Sequence, residues 1–274
     1  LIGKYGDTLA KIAEKNRVNL EFEAAVCGGV PIIRSLKEGL IANKISKIYG
    51  IFNGTSNYIL SSMDKQNKSF EEVLSDAQKM GYAEANPSAD LNGDDVSSKL
   101  KILSSLCFNS FLNNNIYVEG IKNIDKTDID NANKLGYKIK LLGFAELYNK
   151  KVYQRVHPTL IKKESYVARI DGVLNAVIID GKPVGQSTIQ GEGAGAAATT
   201  SALVSDISSI LRGNIKFPFS ISNKERKKLK SESIDQRFFS AYLRFEVEDK
   251  PGVLSNITNI FSKNKVSIKR LVQN

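Results

Sequence analysis

Asp95 and Lys99 stand four residues apart in a stretch where Val96, Leu100, Leu103 and Leu106 recur at helical spacing. The two therefore share one helix face, with the acid N-terminal to the base, which is the favourable order for an ion pair. Their face borders the apolar stripe, so the ammonium is expected at the edge of a core. A half-buried lysine held by a carboxylate is a candidate proton donor, while a simple surface pair fits the same spacing. Just upstream, Glu84, Asp90, Asp94 and Asp95 crowd negative charge into one short segment, which invites a cation. A calcium loop fails on position: counted from Asp90, Asp95 falls where the sharp-turn glycine is needed and Lys101 where a bidentate glutamate is needed. A substrate ammonium beside Lys99 would balance the charge; a capped, solvated loop needs no ligand at all.

Other residues carry weaker signals. Gly191-Glu192-Gly193-Ala194-Gly195 opens an Ala-rich helix, where free N–H groups and the helix dipole favour an anion. Such glycines also serve close helix packing, and no G-x-G-x-x-G follows an N-terminal strand. His157 is the only histidine and has no serine or cysteine motif to pair with. Cys27, in a glycine turn, reads as a small filler. Cys27 and Cys107 have no CxxC spacing, so neither a disulfide framework nor a zinc site is indicated, and a reducing compartment fits. Asn53-Gly54-Thr55 matches a glycosylation acceptor by pattern alone.

The elements that must position these groups follow from periodicity and punctuation. Residues 7–16 read as a helix and 18–26 as an alternating strand. After Gly28-Gly29, Pro31 suits the first turn of a helix over 32–40. A strand over 45–52 runs into a helix starting near Tyr58. Ser69 with Glu72 makes a capping box for a helix over 70–80, and Gly81 suits its left-handed stop. Strands are expected over 139–147, 152–156 and 176–179, with a short helix near 129–135 and a long one over 196–211. Lys- and Ser-rich 216–236 reads as a linker. A strand over 239–247, a helix over 253–262 and a strand over 266–272 follow as a separate small unit.

With 274 residues, 42% of them hydrophobic, the chain can bury a large core, and its length suits two domains. No apolar run reaches the roughly 20 residues of a membrane helix. The start, Leu1-Ile2-Gly3-Lys4-Tyr5, has neither the charged flank nor the apolar stretch of a signal peptide, so a cytoplasmic location is expected. The formal charge of +10 is spread along the chain without tryptophan or a basic-aromatic motif, which argues against nucleic acid as a partner.

Together these segments resemble homoserine dehydrogenase. The resemblance rests on Phe22-Glu23-Ala24-Ala25-Val26-Cys27-Gly28-Gly29-Val30-Pro31, Gly50-Ile51-Phe52-Asn53-Gly54-Thr55-Ser56-Asn57, Gly81-Tyr82-Ala83-Glu84-Ala85-Asn86-Pro87, Asp90-Leu91-Asn92-Gly93-Asp94-Asp95-Val96, Lys99-Leu100 and Gly193-Ala194-Gly195. It implies reversible, NAD(P)-dependent oxidation of L-homoserine to L-aspartate 4-semialdehyde, in the route to threonine, methionine and isoleucine. By the same resemblance Lys99 is the proton donor, Asp95 orients it and binds substrate, and Glu84, Asp90 and Thr55 line the substrate pocket. Gly81, Glu84 and Gly195 match positions at the cofactor. Glu23, Val26, Gly28 and Val30 match a monovalent cation site, described for sodium, built from one carboxylate and backbone carbonyls. A homo-oligomer, dimer or tetramer, is implied as well.

The implied architecture is α/β: residues 1–40 end a Rossmann nucleotide-binding domain, 41–213 form a mixed-sheet catalytic and dimerisation domain, 214–236 link, and 237–274 begin a ferredoxin-like ACT domain. Helix 196–211 is expected to pack back on the nucleotide domain. Asp249-Lys250-Pro251-Gly252-Val253-Leu254 resembles the ACT ligand turn, with threonine as a possible allosteric ligand. Lacking an initiator methionine and the first Rossmann strand, the chain reads as a fragment, impaired by itself. The competing reading is a non-catalytic amino-acid sensor that keeps the ACT module and has lost hydride chemistry.

Overall fold

The computed structural model describes residues 1–112, 116–213 and 217–273. Its frame is a seven-stranded mixed sheet: β1 (Lys44–Ile51), β2 (Tyr117–Val118), β3 (Tyr137–Tyr148), β4 (Lys151–Lys162), β5 (Leu174–Lys182), β6 (Gly185–Glu192) and β7 (Lys230–Glu232). The order is β2-β4-β3-β1-β5-β6, and β7 also pairs with β4. All pairs are antiparallel except those of β2 and β7 with β4. A bulge between Ile45 and Lys47 lets Ile45 and Ile48, three residues apart, enter the same core.

One face of the sheet carries the main core. Ile48, Ile139, Leu141, Ala145, Val177 and Ile179 pack there with Ile59, Leu60 and Met63 of α3 (Gly54–Gln66) and Val96, Leu100 and Leu103 of α6 (Asp94–Phe108). The other face buries a smaller set, Ile51, Leu142, Ala176 and Ile178, under Val167 and Ile170. Gly50 and Gly143 sit opposite each other in β1 and β3. A Cβ on either would strike the Phe52 ring, at 2.9 and 2.6 Å, so the pair makes the slot in which Phe52 lies. Among the described residues no helix is long and apolar enough to cross a membrane.

Helix boundaries follow the expected chemistry in most places. Ser69 and Glu72 complete the capping box of α4 (Phe70–Lys79) in both directions. That helix ends in a Schellman turn, with Tyr82 N–H donating to Ala77 O at 2.8 Å, Gly81 N–H to Gln78 O at 3.1 Å, and Gly81 at φ 74°. A second capping box, Asp125 with Asp128, opens α7 (Lys126–Lys134). Helix α8 spans Ala196–Leu211, as its composition indicates.

Several expectations need correction. Residues 18–26 are not a strand: Phe22 packs on Phe219 at 5.1 Å between ring centres, and Glu23–Ala25 form a 3₁₀ turn whose carboxylate caps the following helix. The alternation there reflects burial without a ladder. Helix 32–40 is a short α2 (Ile32–Arg34) followed by a π turn, Ser35–Gly39, that carries Lys37 to Glu21 at 2.7 Å. The helix read from residue 7 is α1 (Ile2–Asn16). Linker 216–236 contains β7, and β6 was hidden by its polar sequence, Gly-Gln-Ser-Thr-Ile-Gln-Gly-Glu.

In the C-terminal unit only α9 (Val253–Lys263) forms regular structure among the described residues. Segments 239–247 and 266–272 carry no ladder, although Lys269 Nζ donates to Ser240 Oγ at 2.7 Å. Alternation supplies the side-chain pattern of a strand, whereas the strand itself requires a hydrogen-bonding neighbour. Arg244 reaches Asp125 and Asp128 at 2.6 and 2.9 Å, and so joins this unit to the first turn of α7.

Replacing Ser69 with alanine removes one half of the α4 box and should cost about 1 kcal/mol. Thermal denaturation should show a melting temperature lower by roughly 2–4 °C; an unchanged midpoint would mean the box adds nothing to the fold.

Candidate active site

Two helix starts and the end of one strand meet at the acidic loop. β1 ends at Ile51, Phe52 occupies its glycine slot, and Asn53 caps α3, its side-chain oxygen accepting Ser56 N–H at 2.8 Å. The same amide points its Nδ2 the other way, donating to Asp90 Oδ1 at 2.7 Å and to Asp95 Oδ2 at 2.9 Å. Asp90 lies in α5 (Ser88–Asn92) and Asp95 in the first turn of α6. Gly93, at φ 87°, ends one helix and begins the other, a left-handed joint that glycine accepts readily. This sharp joint brings two carboxylates onto one amide.

Lys99 completes the cluster. Its Nζ lies 2.7 Å from Asp95 Oδ2 and donates to Phe52 O at 2.8 Å. The lysine side chain is 17% exposed and that of Asp95 30%, so the pair sits at the border of core and solvent. An ammonium has three donors, and two are committed to these oxygens. Burial raises the Asp90 carboxyl above the usual carboxylate range, and the charge of Asp95 adds to it, while Asn53 and Lys99 pull the other way. Two carboxylates and one ammonium leave the pocket with surplus negative charge.

Thr55 lies beside Asp90, whose carboxyl its side chain helps to hold down. Thr55 Oγ1 donates to Tyr82 O at 2.7 Å, tying the start of α3 to the turn after α4. Glu84 and Asp94 are exposed, and the Glu84 carboxylate makes no hydrogen bond or ion pair among the described residues. The structure therefore joins Lys99, Asp95 and Asp90 directly and leaves Glu84 on the rim. Asn53 was missed as a site residue. Its signal was the N-cap position before an apolar helix, overshadowed by the accidental glycosylation pattern.

The glycine segments lie against each other. Gly29 N–H donates to Glu192 O at 3.0 Å, and a Cβ on Gly28 would fall 2.6 Å from Gly193 O. Cys27 and Gly28 are both left-handed, at φ 56° and 44°. Glu23 is buried, its two oxygens accepting Ile33 and Arg34 N–H at 2.8 Å each, and its own N–H donates to Asp206 at 2.9 Å. Burial raises the Glu23 carboxyl against those two hydrogen bonds. The carbonyls of Val26 and Gly28 accept no hydrogen bond among the described residues, whereas that of Val30 accepts Ile32 N–H at 2.7 Å. Gly195, at φ 110°, opens α8, whose first turn has no side-chain cap. Added Cβ atoms at Gly81 and Gly195 would meet nothing within 4 Å, so backbone angle, not protein packing, requires glycine at both. Among the described residues no group of three or more histidines, cysteines and carboxylates is arranged to hold a metal ion.

Comparison with known proteins bears on this geometry. A family model described as homoserine dehydrogenase matches residues 31–208, and one described as ACT domain matches 241–274. A homoserine dehydrogenase of Neisseria gonorrhoeae is 42% identical over 280 residues, covering 100% of this chain and 64% of its own length. One of Helicobacter pylori is 43% identical, covering 92% of this chain and 60% of its own. The chain thus spans somewhat under two thirds of these relatives. The crystal structure of a homoserine dehydrogenase from Thiobacillus denitrificans superposes with a TM-score of 0.90 at 37% identity, covering 100% of this chain and 65% of that one. A hyperthermophilic archaeal homoserine dehydrogenase in complex with NADPH superposes with a TM-score of 0.68 at 25% identity, covering 77% of this chain and 61% of that one.

The electrostatics of Asp90 can be checked through pH. A carboxyl raised by burial stabilises the fold while protonated, and this contribution is lost as pH rises through its folded-state value. Asp90→Asn keeps an acceptor for Asn53 and removes the buried charge. The variant should melt at a higher temperature than the parent near neutral pH, and the gap should close as pH falls into the ordinary carboxylate range. A gap that widens on acidification would contradict the assignment.

Proposed function

The chain belongs to the homoserine dehydrogenase family, and on that premise we propose that the complete protein interconverts L-homoserine and L-aspartate 4-semialdehyde with a nicotinamide cofactor. The observation that carries this reading is the Lys99 ammonium, held by Asp95 and the Phe52 carbonyl with one donor left over. In the reducing direction that donor would bind the aldehyde oxygen, polarise the carbonyl and protonate the alkoxide as it forms. In the oxidising direction the amine would take the hydroxyl proton. Asp95 keeps the amine in place through either transfer, and Asn53 holds Asp95.

Asp90, raised by burial and short of positive charge, suits the α-ammonium of homoserine. Glu84 would swing in from the rim, and Thr55 would line the same pocket through its tie to Tyr82. The uncapped first turn of α8 and the open space at Gly81 and Gly195 fit the polar groups of a dinucleotide. The nicotinamide ring supplies or accepts the hydride. The buried Glu23 carboxylate and the carbonyls of Val26, Gly28 and Val30 suit a monovalent cation such as sodium, since hard cations prefer oxygen ligands.

In this reading residues 1–40 close a nucleotide-binding domain, 41–213 carry catalysis and dimerisation, and 237–274 belong to an ACT module following a linker over 214–236. The ACT turn at Asp249–Leu254 would receive an amino acid such as threonine, and the protein would work as a homo-oligomer, in threonine, methionine and isoleucine synthesis. A pure amino-acid sensor would have no use for the Lys99–Asp95–Asn53 cluster.

Lys99→Ala in the complete protein should lower kcat by about 10²- to 10⁴-fold, the usual worth of a general acid, while the homoserine KM changes far less. Steady-state assay of NADPH formation measures both. Equal turnover in variant and parent would remove Lys99 from the chemistry.

A further inference from the structure

Asn175 breaks the apolar run of β5, Leu-Asn-Ala-Val-Ile-Ile, at a position where the pattern calls for a hydrophobic residue. It shares a face with Val177 and Ile179, which belong to the main core. Its side chain is 0% exposed, and among the described residues neither Nδ2 nor Oδ1 has a hydrogen-bond partner. An amide wholly removed from water and left unpaired is costly, and a polar residue kept at such a site points to a demand other than stability.

Its neighbours identify that demand. Asn175 pairs with Gly191 in the β5–β6 ladder, at the base of the glycine turn. A Cβ on Gly193 would fall 2.2 Å from the amide carbon, 2.2 Å from Nδ2 and 2.4 Å from Oδ1, so the amide lies flat against the backbone of that turn. Gly28 presses on Gly193 from elsewhere, as its own Cβ would meet Gly193 O at 2.6 Å. The Cys27 thiol is close enough for the amide to ease its ionisation, without the alignment of a full hydrogen bond. Burial nevertheless pushes that thiol up to about 11, so it is neutral, and the Lys99 charge is felt there too. Asn175 therefore sits under the turn that leads into α8.

We propose that Asn175 is a positioning residue for the cofactor: its amide, unpaired in the free protein, hydrogen-bonds the backbone of the Gly191–Gly195 turn when a nicotinamide dinucleotide seats on that turn. An amide carries both donor and acceptor, and a shifted peptide unit offers the complementary pair, so both orphan atoms are satisfied at once. Around Gly195, at φ 110°, an added Cβ would meet nothing within 4 Å, so this end of the turn has room to adjust. The cost of the unpaired amide in the free protein then becomes part of the affinity for cofactor. This inference rests on the proposed dehydrogenase reading.

The test uses Asn175→Leu, similar in size and without polar atoms, in the complete protein. The melting temperature of the free variant should be equal to or above that of the parent, because the unpaired amide is gone. NADPH affinity, read by the fluorescence of the reduced nicotinamide, should weaken by about tenfold or more, with kcat/KM for NADP⁺ falling in step. Should leucine fail to fold, Asn175→Ser, which is smaller and cannot span to the turn, should still lose NADPH affinity by a similar factor. Parental NADPH affinity in whichever variant is folded overturns the proposal, as does a loss of NADPH affinity confined to preparations that are partly unfolded. A parent that binds NADPH or NADH but does not oxidise homoserine would overturn the proposed reaction and leave the affinity comparison to decide the role of Asn175; a parent that binds neither NADPH nor NADH would overturn both.

Discussion

Everything proposed for this protein depends on one clamped ammonium. A lysine side chain is long and flexible, and at a helix surface it normally spreads over many rotamers. Lys99 is fixed because two oxygens from different parts of the chain claim it, the Asp95 carboxylate one helical turn before it and the Phe52 carbonyl at the end of β1. Each anchor is itself anchored. Asp95 is held by Asn53, which is held by its role as the α3 cap, and Phe52 is held by a slot between Gly50 and Gly143 that any side chain would fill. The sheet thereby fixes the position of one ammonium.

The same cluster shows which parts of a site can be read from residue order. Asp95 and Lys99 were legible because four-residue spacing on an amphipathic helix dictates a shared face. From spacing alone Asp90 was one of several acids, and only the family resemblance singled it out. Its selection over Asp94 depends on the left-handed joint at Gly93, which turns one carboxylate inward and leaves the other exposed. The Phe52 carbonyl was invisible, since a backbone acceptor leaves no trace in side-chain identity. Capping boxes at Ser69 and Asp125 behave differently, because both partners lie within three residues and no tertiary contact is needed.

Sheet structure was harder to read than helix, for a physical reason visible in three segments. Residues 18–26 and 239–247 alternate like strands yet form none among the described residues, while β6 forms a full ladder with β5 on an almost wholly polar sequence. A strand is defined by its neighbour, and neighbours here lie many residues away. Glycines were similarly ambiguous. At Gly81 and Gly195 the backbone angle alone demands glycine, at Gly28 the close approach of the Gly193 turn contributes as well, and at Gly193 the Asn175 amide leaves no room for a side chain. The Gly28 contact joins the turn proposed to hold a cation to the turn proposed to hold the cofactor.

The most direct test of the clamped ammonium is a crystal structure of the complete protein with L-homoserine and an oxidised nicotinamide cofactor. The account predicts Lys99 Nζ still on Asp95 and within about 2.6–3.2 Å of the homoserine hydroxyl oxygen, the reach required of a general acid or base. A homoserine hydroxyl held by some other group, with Lys99 outside hydrogen-bond reach of it, would contradict the account.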